Sequence, residues 1–342
     1  SLNNLAGRGQ SLSLQAQLSG VRQLFNLKFS EPWLFDSRWQ FSFNLYNFDY
    51  QLPDFSRRST GGDITFGYPI SRALGWDIPG ELLVSGTYKL EDVGITTGGR
   101  TNRDQETSGA FFRGGLTSSL RLGTFYDDRD NRLFPTDGQY HSVKVEFADD
   151  TFTLSQTEFL KTDLETRWYF PLFWEFVLRL QGQLGYVTNI DPNKSVPLFE
   201  RYFVGGPTTV RGFDRFALGP SRSVARSTGD PASSLDEFQI GGNKQLIFTA
   251  EVEFPIFTAA GIKGVVFADA GNAFDDDQPL TLELDLFKSD ENNYSDALRT
   301  SVGFGFRWLS PIAPLRFEWG IPLQRLPGEK GLVFDFSIGN AF

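Results

Sequence analysis

The sequence predicts an all-β fold of one kind, an antiparallel transmembrane β-barrel with fourteen strands in this chain. Three observations predict it. Apolar side chains recur at every second position in run after run, many runs are about ten residues long, and the connections alternate between short and long. Period two belongs to a strand with two unlike faces. About ten residues carry a tilted strand across the hydrocarbon of a bilayer, and short turns on one rim with large loops on the other give a barrel its rhythm.

The alternation is plainest from Gln10 to Leu18, where Leu12, Leu14, Ala16 and Leu18 oppose Ser11, Ser13, Gln15 and Gln17. It returns as Trp39, Phe41, Phe43 and Leu45 against Gln40, Ser42 and Asn44, then as Ile64, Phe66, Tyr68 and Ile70 against Asp63, Thr65 and Gly67. Leu246, Phe248, Ala250, Val252 and Phe254 face away from Gln245, Thr249, Glu251 and Glu253. Val302, Phe304, Phe306 and Trp308 oppose Ser301, Gly303, Gly305 and Arg307, and the last run groups Leu332, Phe334, Phe336, Ile338 and Phe342. Strands are expected near 9–19, 21–31, 37–50, 60–70, 80–92, 110–125, 138–149, 157–170, 174–188, 244–256, 262–271, 299–309, 313–321 and 331–342. The connections at 31–36, 71–80, 171–174, 257–262 and 309–314 are short, while those at 50–60, 92–110, 188–244 and 271–299 are mostly long and polar; 19–21 departs from the pattern. Ser221 to Ser234 reads as mobile loop.

A soluble sandwich would turn its apolar face inward and show water many Lys, Glu and Thr residues. Here one face is crowded with Phe, Trp, Leu and Tyr, and the other carries Ser, Gln, Asn, Gly and scattered charge, as a polar lumen requires. Aromatics make up 15% of the chain although mean hydropathy is only −0.26, which fits a wall oily outside and wet inside. Trp33, Tyr46, Tyr50, Trp168, Tyr169, Trp174, Tyr186 and Trp308 fall at strand ends, where girdles meet lipid headgroups.

Nothing in the 342 residues reads as a domain boundary, so 1–342 is expected to be one transmembrane domain. Lys plus Arg is 32 and Asp plus Glu is 42, giving 32 − 42 = −10, which argues against a nucleic-acid partner. The absence of Cys excludes a disulfide framework, a thiol nucleophile and a Cys-type zinc site. His141 stands alone and reads as structural. Asp275-Asp276-Asp277 reads as a solvated loop, no phosphate-binding loop is present, and no run of apolar residues is long enough for a helical span. No catalytic residue, metal or cofactor is expected, and the chain is not expected to be an enzyme. Ser1 reads as an internal cut.

The segment Arg201-Tyr202-Phe203-Val204-Gly205-Gly206-Pro207-Thr208-Thr209-Val210-Arg211-Gly212-Phe213 resembles the signature loop of the BamA-like superfamily. Tyr126 to Asn131 with Phe134 to Gly138 is similar to that family's barrel turn, and Phe267 to Gly271 and the run from Gly303 to Phe342 are similar to its last strands. Leu2 to Gly9 resembles the turn before the family's third strand, so the fourteen strands read here plus two before them make that family's sixteen. The resemblance implies that the family's periplasmic POTRA domains lie outside this chain. It further implies residence in the bacterial outer membrane and assembly of outer-membrane proteins by strand templating at a lateral seam, without a cofactor. The partners implied are unfolded outer-membrane protein clients, periplasmic chaperones, accessory lipoproteins of an assembly complex, and outer-membrane lipid. A secretion pore or an autotransporter-assembly relative within the superfamily, and a passive porin outside it, are the alternative readings.

Without the resemblance, Arg211 among Gly205, Gly206 and Gly212 reads as a surface charge in a flexible turn. A guanidinium brought into a partly dehydrated channel instead needs carboxylates on its donors. The resemblance implies that Val210, Arg211, Gly212 and Phe213 enter the lumen, with Arg211 locked on Glu253 and Asp269. It also implies that Gly331 to Phe342 forms one half of the seam, with Gly331, Phe334, Phe336, Gly339 and Phe342 as its marked positions. A strand edge in hydrocarbon cannot stay unpaired, so a seam that opens must trade partners, and Gly339 weakens packing near its end.

Overall fold

The structure, a computed structural model, describes residues 2–5, 7–18, 22–52, 54–75, 77–96, 114–225, 235–287, 296–310 and 313–338. In chain order its strands are β1 (Leu2–Leu5), β2 (Gln10–Leu18), β3 (Arg22–Glu31), β4 (Gln40–Gln51), β5 (Ser56–Pro69) and β6 (Glu81–Thr96). They continue as β7 (Gly115–Asp127), β8 (Gly138–Ala148), β9 (Phe159–Pro171) and β10 (Val177–Thr188). A long excursion follows and carries the hairpin β11 (Ser221–Ala225) and β12 (Leu235–Gln239). The chain returns with β13 (Lys244–Phe257), β14 (Ile262–Phe274), β15 (Arg299–Leu309), β16 (Pro314–Pro322) and β17 (Val333–Ile338).

Fifteen strands hydrogen-bond in sequence order into one antiparallel sheet, from β1 through β10 and then β13 to β17. Among the described residues β1 and β17 do not pair with each other, so the sheet is open between them. No helix among the described residues is long and apolar enough to cross a membrane.

Two sequence expectations are corrected. The sheet holds fifteen strands rather than fourteen, because Leu2–Leu5, read as turn, pairs with Gln10–Leu12 across a bulge between Asn3 and Leu5. Four residues are too few for period two to show. Asn4 adopts a positive φ of 59° and its side-chain oxygen accepts the Gly9 amide, which makes the tight return that sequence reading took for the whole segment. Of Ser221 to Ser234, read as mobile loop, Ser221–Ala225 forms a ladder with Leu235–Gln239, and 226–234 lie outside the described residues. That hairpin is a separate two-stranded sheet whose strands of five residues are too short for period two to stand out.

Leu14, Leu45, Phe66, Leu122, Phe304 and Phe334 are all exposed, whereas Ser119, Glu146, Glu251, Asp269 and Glu318 are buried. Apolar side chains facing out and charge facing in is the inversion expected of a wall between lipid and a polar lumen. Across β15 to β17 the outward row is continuous: Phe304 stacks on Trp319, and Phe306 on Phe317, with ring centroids 5.6 and 4.6 Å apart.

The described part of the excursion between β10 and β13 packs on the β4–β5 connection and on the walls of β13 and β14. Leu198, Phe238 and Ile240 form a small core with Leu52 and Phe55 of the β4–β5 connection, where the Gln239 amide also donates to Asp54 Oδ2 at 3.0 Å. Deeper, Val204, Val210, Phe213 and Leu218 pack on Ile247 of β13 and Ala273 of β14. Burial of these side chains seats the loop tip against one wall without any charge being involved.

Candidate functional site

Arg211 leaves the tip of the excursion between Val210 and Phe213, whose buried side chains anchor the backbone on either side of it. Only 4% of Arg211 is exposed. Its Nε donates to Asp269 Oδ2 at 2.7 Å and its Nη2 to Oδ1 at 2.9 Å, a two-pronged pairing that lysine cannot copy. The Arg211 backbone amide donates to the same Oδ2 at 3.0 Å. Nη1 reaches Glu251 Oε2 at 3.0 Å and Glu318 Oε2 at 3.3 Å. The guanidinium carbon lies 3.5 Å from the Phe267 ring centre, so the flat cation is stacked as well as paired. Burial alone would lower its pKa, but the hydrogen bond and charge of Asp269, with Glu251 and Glu318 behind it, outweigh burial and raise it.

The carboxylates are shared with cations of the wall. Arg307 Nη1 and Nη2 donate to the two oxygens of Glu251 at 2.6 and 2.7 Å, and Nη2 also to Glu318 Oε1 at 3.0 Å. Arg316 grips Glu318 at 2.5 Å and Arg179 reaches Glu251 at 2.9 Å. A cavity of about 250 Å³ opens beside this network, lined in part by Arg167, Tyr169, Gln183 and Thr209.

Glycine makes the close approach possible. Gly212 has φ +85°, and a Cβ there would lie 3.0 Å from the Gly320 carbonyl carbon on β16. From the other side, a Cβ on Gly320 would lie 2.3 Å from the Gly212 nitrogen. Loop and strand thus touch backbone to backbone, which only paired glycines allow.

Of the residues the sequence singled out, the structure brings together Val210, Arg211, Gly212, Phe213 and Asp269. Glu253 is corrected: it holds Lys263 at 2.7 Å and Arg307 at 3.1 Å, and Arg211 pairs with Glu251 instead. The register explains why. Asp269 lies opposite Thr249, so Glu251 is one same-face step away and Glu253 two, about 13 Å along the strand at about 3.3 Å per residue. One guanidinium cannot span that. Sequence reading also missed Glu318, Arg307 and Gly320, although the alternation Arg316, Glu318, Gly320 against Leu315, Phe317, Trp319 was there to place the first and last on the inner face.

The seam positions divide. Phe334 and Phe336 lie on the outer face of β17, their rings tilted against Trp319 and Phe317 of β16 with centroids 5.1 and 4.9 Å apart. Gly331 precedes the strand beside Arg325. Gly339 and Phe342 lie outside the described residues. β17 pairs with β16 from Leu315↔Ile338 to Gly320↔Val333, and among the described residues no strand pairs with its other edge. His141 bonds Thr166 and Gln139 beside Tyr126 and Trp168. Asp275 accepts from Arg201 and Asp276 from Asn243.

A family profile described as the Omp85 superfamily domain matches residues 4–342. The chain is 26% identical over 374 residues to an outer membrane protein assembly factor BamA of Neisseria meningitidis serogroup B, covering 100% of this chain and 44% of that protein. It is 28% identical over 221 residues to a sorting and assembly machinery component 50 homolog A of Xenopus laevis, covering 64% of this chain and 44% of that one. The chain therefore spans less than half the length of these curated relatives. Among solved structures, BamA from Haemophilus ducreyi lacking POTRA domains 1–3 superposes with a TM-score of 0.75 at 21% identity, over 98% of this chain and 65% of that one, a likeness of fold.

Proposed function

This chain belongs to the Omp85 superfamily, and from that premise we propose that residues 1–342 form the membrane-embedded barrel of a bacterial outer-membrane assembly factor. Its clients are unfolded outer-membrane proteins, received from periplasmic chaperones with the help of accessory lipoproteins, and no bond-making chemistry is required. A client strand gains its ladder by pairing at the seam, because hydrocarbon offers backbone groups no other partner. The client's own folding supplies the driving force. Relatives named as outer-membrane protein assembly factors and as sorting and assembly machinery support this reading.

The observation that carries it is the burial of Arg211 on Asp269, Glu251 and Glu318, which fixes a long loop inside the lumen. A passive channel needs a clear path; a scaffold that must present one strand edge in register needs a fixed interior. Arg211 in this reading holds β13, β14 and β16 in one arrangement, and so sets where β17 stands.

The test is assembly of a radiolabelled outer-membrane protein into liposomes holding the protein, compared between the parent and Arg211→Glu. Loss of assembly with the barrel still folded supports the proposal. Parental assembly by the variant refutes the lock, and steady solute flux through the parent without client assembly favours a channel. Site-specific crosslinking from Phe334 and Phe336 to the client tests the seam, and labelling spread evenly over other strands counts against it.

A further inference from the structure

The excursion carries a second buried charge that the lock does not use. Glu200, just before the signature segment, is 4% exposed and reaches strands that precede β10 in the sheet, away from the lock on β13, β14 and β16. Lys161 of β9 donates from Nζ to Glu200 Oε2 at 3.1 Å and to its backbone carbonyl at 3.0 Å. Lys89 of β6 stands 3.9 Å from Oε1 while holding Glu146 at 2.9 Å and Glu91 at 3.1 Å. The neighbours add grips of their own. Arg57 of β5 donates to the Phe199 carbonyl at 3.0 Å, and the Tyr202 hydroxyl donates to Asp163 of β9 at 2.8 Å. Burial raises the Glu200 carboxyl's pKa, but Lys161, Lys89 and Arg57 outweigh it, and the group stays below the ordinary glutamate value.

Between this footing and Arg211 the chain is stiff. Bridges tie Tyr202 to Gly242 and Val204 to Leu218, the Gly206 amide donates to the Val210 carbonyl, and Val204 and Val210 share one small core. The loop's acid is met by Lys161 and Lys89, the second shared with Glu146 and Glu91, and the loop's base by Asp269, Glu251 and Glu318, the last two shared with arginines of the wall. A reversed placement would bury like charges against each other.

We propose that Glu200 is a positioning residue, and that the segment from Glu200 to Arg211 is a strut across the lumen, footed on β5, β6 and β9 at one end and on β13, β14 and β16 at the other. The strut holds the two walls at a set spacing, so freeing either foot frees the sheet to spread. This rests on the reading of Arg211 as a lock and extends it to the far wall.

The chain has no cysteine, so spin labels go cleanly onto Leu122→Cys of β7 and Phe304→Cys of β15, both exposed on the outer face. Distances between them are measured by pulsed dipolar spectroscopy on the whole protein in liposomes, in the parent and in E200Q, K161Q, R211Q and E200Q/R211Q. The parent distribution is expected to be narrow, and E200Q and R211Q each to broaden it to the same width. The double variant should be no broader, since a strut released at one end is already released. Amide exchange across Leu198–Tyr202 should rise on the order of a hundredfold in E200Q and in K161Q, the usual consequence of leaving one partner of a buried pair alone. A narrow distribution in E200Q and K161Q with a broad one in R211Q overturns the strut and leaves the lock standing. Narrow distributions in all variants overturn both. A double variant broader than either single overturns the strut by showing two independent contacts. Should E200Q fail to give a heat-modifiable barrel, K161Q decides alone.

Discussion

Replacing Gly320 by alanine adds one methyl group and should dislodge the loop that carries Arg211, without altering any group that Arg211 bonds. The new Cβ would stand 2.3 Å from the Gly212 nitrogen and 2.5 Å from its Cα, both backbone atoms that no rotamer change can move. Ordinary contact needs about 3.5 Å, so loop and β16 must part by roughly 1 Å. The bonds from Arg211 to Asp269, at 2.7, 2.9 and 3.0 Å, cannot stretch that far and remain hydrogen bonds, whose upper bound is about 3.2 Å. Asp269, 2% exposed, would be left buried with its cation withdrawn. Breaking a buried pair from one side costs about 3–5 kcal/mol, enough to shift the closed loop's population by about two orders of magnitude or more. Amide exchange at Arg211 to Phe213, followed in liposomes, reads that shift directly. Gly86→Ala on β6 is the control, because its Cβ would meet only Leu122 Cδ2 at 4.0 Å. Alanine that fits is neutral to slightly stabilising through the unfolded chain. Parental exchange at Arg211 to Phe213 in Gly320→Ala would show that the backbone contact does not hold the lock, and the reasoning would fail.

Glu251→Gln should lower barrel stability toward denaturant by about 3 kcal/mol, since Arg211, Arg307 and Arg179 all lean on it, whereas Glu253→Gln should cost about 1 kcal/mol or less; equal effects would contradict the register argument. Arg211→Lys keeps the charge but can hold only one Asp269 oxygen at a time, so client assembly should fall well below the parent, and full activity would show that fork geometry is dispensable. Because the folded-state pKa of Glu200 is depressed, its contribution is complete above the ordinary carboxylate range and is lost as pH falls through the lower folded value. Protection at Leu198–Tyr202, taken as exchange relative to the unstructured chain at the same pH, should therefore fall on acidification in the parent and change little in Glu200→Gln; a loss of protection on going alkaline would have the wrong sign.

How much of this was legible depends on length and on partners. Strands with a full period-two run, such as β4 and β13, announce themselves because lipid on one side and a polar lumen on the other impose opposite chemistry on neighbouring residues. Leu2–Leu5 and the five-residue strands of the β11–β12 hairpin are too short to show the pattern, so neither was visible. At the site, Arg211, Gly212 and Asp269 could be picked out, but choosing between Glu251 and Glu253 needed the register of β13 on β14, which no single strand encodes. Glu318 and Gly320 were readable as inner-face residues once β16 was placed; their meeting with Arg211 and Gly212 was not, because it joins positions about a hundred residues apart through a loop whose fold follows no periodicity.

The network's chemistry also bears on why it is charged at all. An apolar plug of the same volume would stabilise the lumen as well or better, since removing ions from water costs nearly what their pairing returns. What an apolar plug lacks is direction. Arg211 is satisfied only where Asp269 offers two oxygens side by side and Glu251 and Glu318 flank it; a shift of one same-face step, about 6.6 Å, would leave those carboxylates buried without it. The steepness of that penalty, set against a small net gain, makes the loop a gauge of wall position. In the proposed reading, a movement of β14 against β16 that reaches the edge of β17 unmakes bonds at Arg211, and the lumen would register the state of that edge.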